Sequence, residues 1–190
     1  MPQVKKEDIR AAILEATFSL VADKGYVGAS MTQIAQRAGI SNANIYIYFG
    51  SKIDIFFSVY ERWLKEKIGR LEERVRLAAA PKDKFRTLLE GLFQEIPKLD
   101  NGFANNLIQA ISTIGPNDPY HPQLLEWLKS RIEEMLKSAI PDLQKAAAKR
   151  RRLAHFIIMA FDGCVVNFRV NPSSLPETKL ILELTDLFLQ

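Results

Sequence analysis

Between Ala38 and Lys52 the chain reads AGISNANIYIYFGSK, a stretch of amides and hydroxyls that closes on one ammonium and holds no carboxylate. Asn42, Ala43 and Asn44 are the residue types that read base edges. An asparagine amide pairs bidentately with adenine, and an alanine methyl touches the thymine methyl. Tyr46 and Tyr48 offer hydroxyls to phosphate oxygens while their rings pack on a domain. They stand two residues apart, so on a helix they face different sides and one of them can belong to the core. Ile45 and Phe49, four apart, are the better core candidates. Lys52 opens the next helix, where a cation works against the dipole. That cost makes sense if its ammonium and the free N–H groups share a phosphate. The acid-free run extends beyond the motif, since no Asp or Glu lies between Asp23 and Asp54. A surface that rests on phosphates excludes carboxylates. A partly buried stretch with few charges of either sign produces the same gap, and Arg37 is the only base between Lys24 and Lys52. Asn42 has a plain alternative too, as a helix-start residue.

Other chemistry is hard to find. The two histidines, His121 in a proline-rich turn and His155, have no metal-ligand spacing, and neither a Gly-x-Ser-x-Gly nor a glycine-rich phosphate loop occurs. Cys164 sits mid-helix among apolar residues, the setting of an inert thiol. No catalytic residue, metal or cofactor is expected, and the chain does not read as an enzyme. A helical adaptor that binds another protein is the competing non-enzymatic reading. It would tolerate loss of Tyr46, Tyr48 and Lys52, which a DNA binder would not. The single cysteine among 190 residues rules out an internal disulfide framework and fits a reducing cytosol. The N-terminal MPQVKKEDIR has no apolar signal core, and no run approaches the roughly 20 apolar residues of a membrane span. With 47% hydrophobic and 25% charged residues the composition is that of an ordinary globular protein. The net charge of +4 permits an acidic partner without selecting one.

The elements that must position these residues are all helical. EDIRAAILEATFSLVADKGY places Ile9, Ile13, Leu20 and Val21 near one face and stops at Gly25. Ser30 is a good N-cap for a short helix from Met31 to Ala38. Gly39 ends it, and Ser41 caps a second short helix from Asn42 to about Tyr48. A long helix runs from Lys52 toward Leu77. Beyond Pro81, PKDKFRTLLEGLFQEIPK is amphipathic through Phe85, Leu89 and Phe93. Another helix opens at Asn101 and Gly102 and runs through Ile114, and GPNDPYHP is a turn cluster. A periodic helix then carries Leu124, Leu128, Ile132 and Met135 to a break at Pro141. Further helices are expected from roughly Leu143 to Val170 and from about Glu177 to Phe188. Strand alternation is absent. The expected class is all-α, about nine helices, with residues 1–52 a helix-turn-helix domain, 52–77 connecting, and 78–190 a second domain.

Two short helices joined by a tight glycine turn are the helix-turn-helix pattern, whose second helix enters the major groove with its early residues on base edges. The run ILEATFSLVADKGYVGASMTQIAQRAGISNANIYIYFGSKIDIFFSVYERW resembles the DNA-binding domain of the TetR family of transcriptional regulators. Ala16, Gly25-Tyr26, Ile34-Ala35, Ala38-Gly39-Ile40-Ser41 and the closing Tyr46, Tyr48, Phe49 and Lys52 carry the likeness, over about a quarter of the chain. The resemblance implies that Ser30 and Thr32, with Gln33 as a weaker candidate, meet the DNA backbone or an adjacent base. It implies that Asn42, Ala43 and Asn44 read bases, and that Tyr46, Tyr48 and Lys52 hold phosphates. Thr32 and Asn44 depart from the residues common in the family, which leaves the operator sequence open.

The same resemblance implies a cytoplasmic, ligand-responsive regulator, in most members a repressor. It would bind a palindromic operator as a homodimer built from its last two helices and be released by a small effector. In MAFDGCVVNF, Ala160, Gly163, Cys164 and Asn167 are small or polar at three-and-four spacing, which suits close helix approach, and Leu180, Leu184 and Leu187 share a face of the last helix. Intramolecular packing of these faces is the alternative. For a largely apolar effector the candidates are the aromatics Phe93, Phe103 and Trp127, with His155, Met159 and Asp162 on one helical face. A bundle core is the alternative for them.

Overall fold

The computed structural model describes residues 2–99, 102–115 and 122–189, and among these it is helical throughout. The elements are α1 (Pro2–Gly28), α2 (Met31–Arg37), α3 (Asn42–Tyr48), α4 (Lys52–Leu77), α5 (Pro81–Glu90), α6 (Ile96–Lys98), α7 (Phe103–Ser112), α8 (Pro122–Ala139), α9 (Ala147–Val170) and α10 (Thr178–Phe188). A π-helical segment, Gly91–Glu95, joins α5 to α6, so 81–98 is one rod and the described residues form nine helices. His121, Asn101 and most of the GPNDPYHP turn lie outside the described residues.

The chain divides into two compact units: Met1–Leu64 with Asn101–Asp118, and Lys65–Asp100 with Pro119–Gln190. The expected boundaries at residues 52 and 78 are therefore displaced. The first half of α4 and all of α7 join the N-terminal helices, and the reason is aromatic packing. The Phe103 ring lies 5.6 Å from Phe18 of α1 and 6.3, 6.0 and 5.1 Å from Phe56, Tyr60 and Trp63 of α4. Such pairs, at centroid separations of about 4.5–7 Å, add to the area they bury. Phe103, expected in an effector pocket, is a core residue of the first unit instead.

A second tie holds α7 to α1. Gly25 takes φ 72, a left-handed value that suits glycine, and breaks the α1 ladder as the sequence suggests. The next two N–H groups are taken by α7. Tyr26 N donates to Asn106 Oδ1 at 2.6 Å and Val27 N to Gln109 Oε1 at 3.3 Å. Asn106 is 5% exposed, a buried amide with a backbone partner.

The second unit packs the 81–98 rod against α8 and α10, and α8 against α9. Its core includes Phe85, Leu88, Leu92, Ile132, Leu136, Ile158 and Phe161, and the Phe188 ring meets Phe85 at 5.5 Å. The rod reads as one regular helix in the sequence, but it widens into the π segment just before Pro97. Proline has no N–H, and its ring clashes with the carbonyl four residues back, here Phe93. A widened turn accommodates that clash. The Cys164 thiol donates to the Phe93 carbonyl at 3.5 Å.

Asn106→Ala would remove the acceptor of the buried Tyr26 N–H and lower stability by about 1–3 kcal/mol. Gln109→Ala, at a longer and more exposed bond, would lower it less. Urea unfolding of the two variants beside the wild type checks the order.

Candidate nucleic-acid interface

The α2–α3 unit is built by its caps. Ser30 accepts the Gln33 N–H at 3.3 Å, and Gln33 Oε1 accepts the Ser30 N–H at 3.1 Å, a reciprocal capping box. Ser41 caps α3 by accepting the Asn44 N–H at 3.2 Å. Between them the chain turns at Gly39, φ 71. Ile34, Ala35, Ile45 and Phe49 are buried, so one face of each short helix is spent on the core. The expectation for Ile45 and Phe49 agrees.

The caps settle what the side chains are free to do. Because Ser41 is the cap, Asn42 is released from the helix-start role. The Thr32 hydroxyl lies 3.5 Å from Asn42 Oδ1, linking the start of α2 to the start of α3. Asn42, Ala43 and Asn44 are all exposed. Tyr46 is 53% exposed and Tyr48 half-buried, the division their spacing suggests. The Ser30 hydroxyl accepts its capping bond yet keeps its own proton, and Gln33 keeps its amide N–H₂. Ile47 is 71% exposed at the outer face of α3, a residue that the sequence reading left aside. Its signal was available: two residues from the buried Ile45, it must face the opposite way.

Lys52 behaves differently from the expectation. Its Nζ donates to the carbonyls of Tyr26 and Ala29, both at 2.9 Å, and lies 4.2 Å from the centre of the Tyr26 ring. The ammonium thus reaches back to the end of α1, where a cation is favoured by the dipole. Burial lowers its pKa from the ordinary lysine value. Two of its three protons are occupied by the fold.

The remaining expected residues are scattered. In the second unit a surface hollow of about 490 Å³ is lined by Lys129, Arg151, Arg152, His155, Phe156 and Met159. It brings together His155 and Met159 only. Phe93 is buried in the core, and Trp127 is half-buried with the Lys65 ammonium 5.4 Å from its ring centre. Asp162 lies at the surface of α9, where partial burial raises its carboxyl to about 6. On the expected dimer face, Cys164 turns inward to Phe93, Ala160 is only partly exposed, and Asn167 spends its amide on the Gly163 carbonyl at 2.8 Å. Burial also raises the Cys164 thiol, which keeps it protonated. The exposed stripe of α9 is instead Phe156, Met159, Gly163, Val166 and Val170, opposite the buried Ala154, Ile157, Ile158, Phe161 and Val165. On α10, Leu180 and Leu187 are exposed and Leu184 is partly so.

A capped helix pair with a buried inner face and an amide-bearing, acid-free outer face defines a helix-turn-helix DNA-binding unit. Residues 13–59 match the family described as bacterial regulatory proteins, tetR family. The match covers the helix-turn-helix segment and leaves the rest of the chain outside it. The fatty acid metabolism regulator protein of Bacillus subtilis is 31% identical over 81 residues, 43% of this chain and 42% of the relative. The HTH-type transcriptional activator FasR of Mycolicibacterium smegmatis is 26% identical over 101 residues, 53% and 46%. These matches span less than half of each relative; the first is named as a regulator of fatty acid metabolism and the second as a transcriptional activator. The likeness in fold runs further. FadR of Bacillus halodurans superposes with a TM-score of 0.65 at 20% identity, covering 95% of this chain and 94% of that one. FadR of Bacillus subtilis in complex with stearoyl-CoA gives 0.63 at 20% identity, covering 92% and 96%.

Lys52→Met, which keeps the stem and removes the ammonium, would lower the stability of the DNA-free protein by about 1–3 kcal/mol by stripping two carbonyls of their donor. A lysine that served phosphates alone would leave DNA-free unfolding unchanged, so thermal or urea denaturation without DNA decides between the roles.

Proposed function

We propose that this chain is a cytoplasmic, ligand-responsive transcriptional regulator, a repressor that binds a palindromic operator as a homodimer and leaves it when a small effector binds. The observation that carries the reading is the α2–α3 face. Asn42, Ala43 and Asn44 stand free of their own caps, with hydroxyls of Ser30, Thr32, Tyr46 and Tyr48 around them and no carboxylate from residue 24 to 53. Hydroxyls and amides position a protein on phosphates, and amides specify bases.

The homodimer is supported by α9. This 24-residue helix is long and apolar enough to cross a membrane by length and composition, yet only 28% of its apolar window is buried. Within that window Asp162 stands at mid-helix, an expensive group in hydrocarbon, and Arg169 lies near the end. A second copy covers Gly163, Val166 and Val170 without that cost, and Leu180 and Leu187 of α10 extend the surface. Two-fold symmetry then matches an operator with half-sites about 34–36 Å apart.

The effector would have an apolar body and an acidic end. The hollow at the N-terminal end of α9 pairs Phe156 and Met159 with Arg152 and His155. The relatives named for fatty acid metabolism, and the solved complex with stearoyl-CoA, point to an acyl thioester as the first compound to try. Binding would favour a conformation whose half-site spacing no longer fits.

Selection of random duplex DNA by the purified protein at near-physiological salt tests the reading. Enrichment of a palindrome, released by micromolar stearoyl-CoA, is the expected result. No enrichment by folded protein would transfer the weight to a protein-binding adaptor. Affinity for the selected site should fall with rising salt, but with a shallow slope, because residues 25–51 offer the phosphates a single formal cation, Arg37.

Val166→Glu would place a charge on each side of the proposed seam and yield a monomer, read by light scattering. Its operator affinity would drop at least tenfold, because two linked half-sites bind far more tightly than one.

A further inference from the structure

α3 reads Asn42-Ala43-Asn44-Ile45-Tyr46-Ile47-Tyr48 and contains no Arg, Lys, Asp or Glu. Arginine and lysine are the usual readers of guanine, and Asp and Glu accept from cytosine. The helix therefore lacks the side chains that favour G·C pairs. What it presents is different. Ile45 is fully buried, so residues 43 and 47, each two positions from it, project to the opposite side. Ala43 and Ile47 stand one turn apart there, both exposed, and form an apolar ridge. The amides of Asn42 and Asn44 flank the ridge, and Thr32 steadies the first of them at 3.5 Å. In the major groove the one apolar group on a base edge is the C5-methyl of thymine, and the bidentate partner of an asparagine amide is adenine.

The geometry points to a half-site read as A·T pairs, in which Ile47 together with Ala43 packs on thymine methyl groups and Asn42 and Asn44 engage the adenines. This rests on the DNA-binding reading above and adds a specificity-determining residue, Ile47, to it.

The test uses the full-length protein and the palindrome it selects. Each thymine of the half-site is replaced in turn by deoxyuridine, which removes the methyl and leaves the base pair intact. At one or two thymines per half-site the dissociation constant should rise about fourfold, the weight of one buried methyl-sized group. Ile47→Ala should bind more weakly but lose its sensitivity at those same thymines, and Ile47→Val should retain part of it. Circular dichroism confirms that the exposed-site variants are folded. Replacing a sensitive T·A pair by 5-methylcytosine·guanine should recover part of the methyl contribution that cytosine·guanine lacks. The proposal is overturned if deoxyuridine is tolerated at every thymine, if Ile47→Ala keeps the full penalty, or if the selected half-site has an invariant G·C core facing α3. Failure to select any palindrome would instead defeat the DNA-binding reading itself, so the two failures are distinct.

Discussion

Both backbone polar groups of Tyr26 are held by side chains from elsewhere in the chain. Its N–H goes to Asn106 of α7 and its carbonyl to the ammonium of Lys52 at the start of α4. Gly25 breaks α1 immediately before it, so neither the N–H nor the chain direction is set by an uninterrupted helix. Buried backbone groups without partners are costly, and the joint between α1 and α2 can stand where it does only because α4 and α7 supply those partners. The Lys52 ammonium also takes the carbonyl of Ala29, the residue before the Ser30 cap. Where α2 begins is thus fixed by a lysine 23 positions further on. The burial of Ile34 and Ile45, and through it the outward aim of Asn42, Asn44 and Ile47, follows from that placement.

This is also where the sequence was most informative and least complete. Gly25, Ser30, Gly39 and Ser41 announce the breaks and caps by residue type alone, because each answers a local steric or hydrogen-bonding demand. The capping box at Gln33 was written in its spacing from Ser30, yet the same glutamine also looked like a DNA contact. Lys52 was read from its place at a helix start, where a cation is disfavoured. The dipole that it serves belongs to a different helix, and no local pattern reports a partner 26 residues away. Asn106 and Gln109 carry no local signal for the same reason.

In the second unit the limits have another origin. Helical periodicity identifies which residues share a face, but not whether that face meets the core of its own chain or something outside it. The small residues of α9 suggested a seam at Ala160, Gly163, Cys164 and Asn167. Pro97 draws Cys164 the other way, since its missing N–H and the π segment before it leave the Phe93 carbonyl facing α9 with a thiol as donor. Once Cys164 points inward, helical geometry turns Gly163, Val166 and Val170 outward. Among the expected members of the face, Gly163 and Asn167 are exposed, while Phe156 and Met159 extend the exposed stripe toward the hollow. The expected effector residues do not lie together for a similar reason. Aromatic character does not distinguish Phe103, which stacks on α4, from a residue lining a pocket.

The neutral character of α3 has a consequence for how such a unit holds DNA. From residue 25 to 51 the only formal charge is Arg37, and Lys52 spends most of its donors on the fold. Few counterions are released by each protomer from this segment, so the sequence-independent part of the affinity that it supplies is small. Hydroxyl and amide hydrogen bonds hold position without adding long-range attraction. Within this surface the balance therefore shifts from non-specific attraction toward base contacts, and an apolar ridge contributes only where a methyl group meets it. A single such surface would be a weak binder on any sequence. In the proposed homodimer, two of them joined through α9 and α10 would gain from effective concentration what each lacks in charge. Discrimination would then depend on both half-sites being correct at once, and the proposed seam on α9 would be as much a part of sequence recognition as α3 itself.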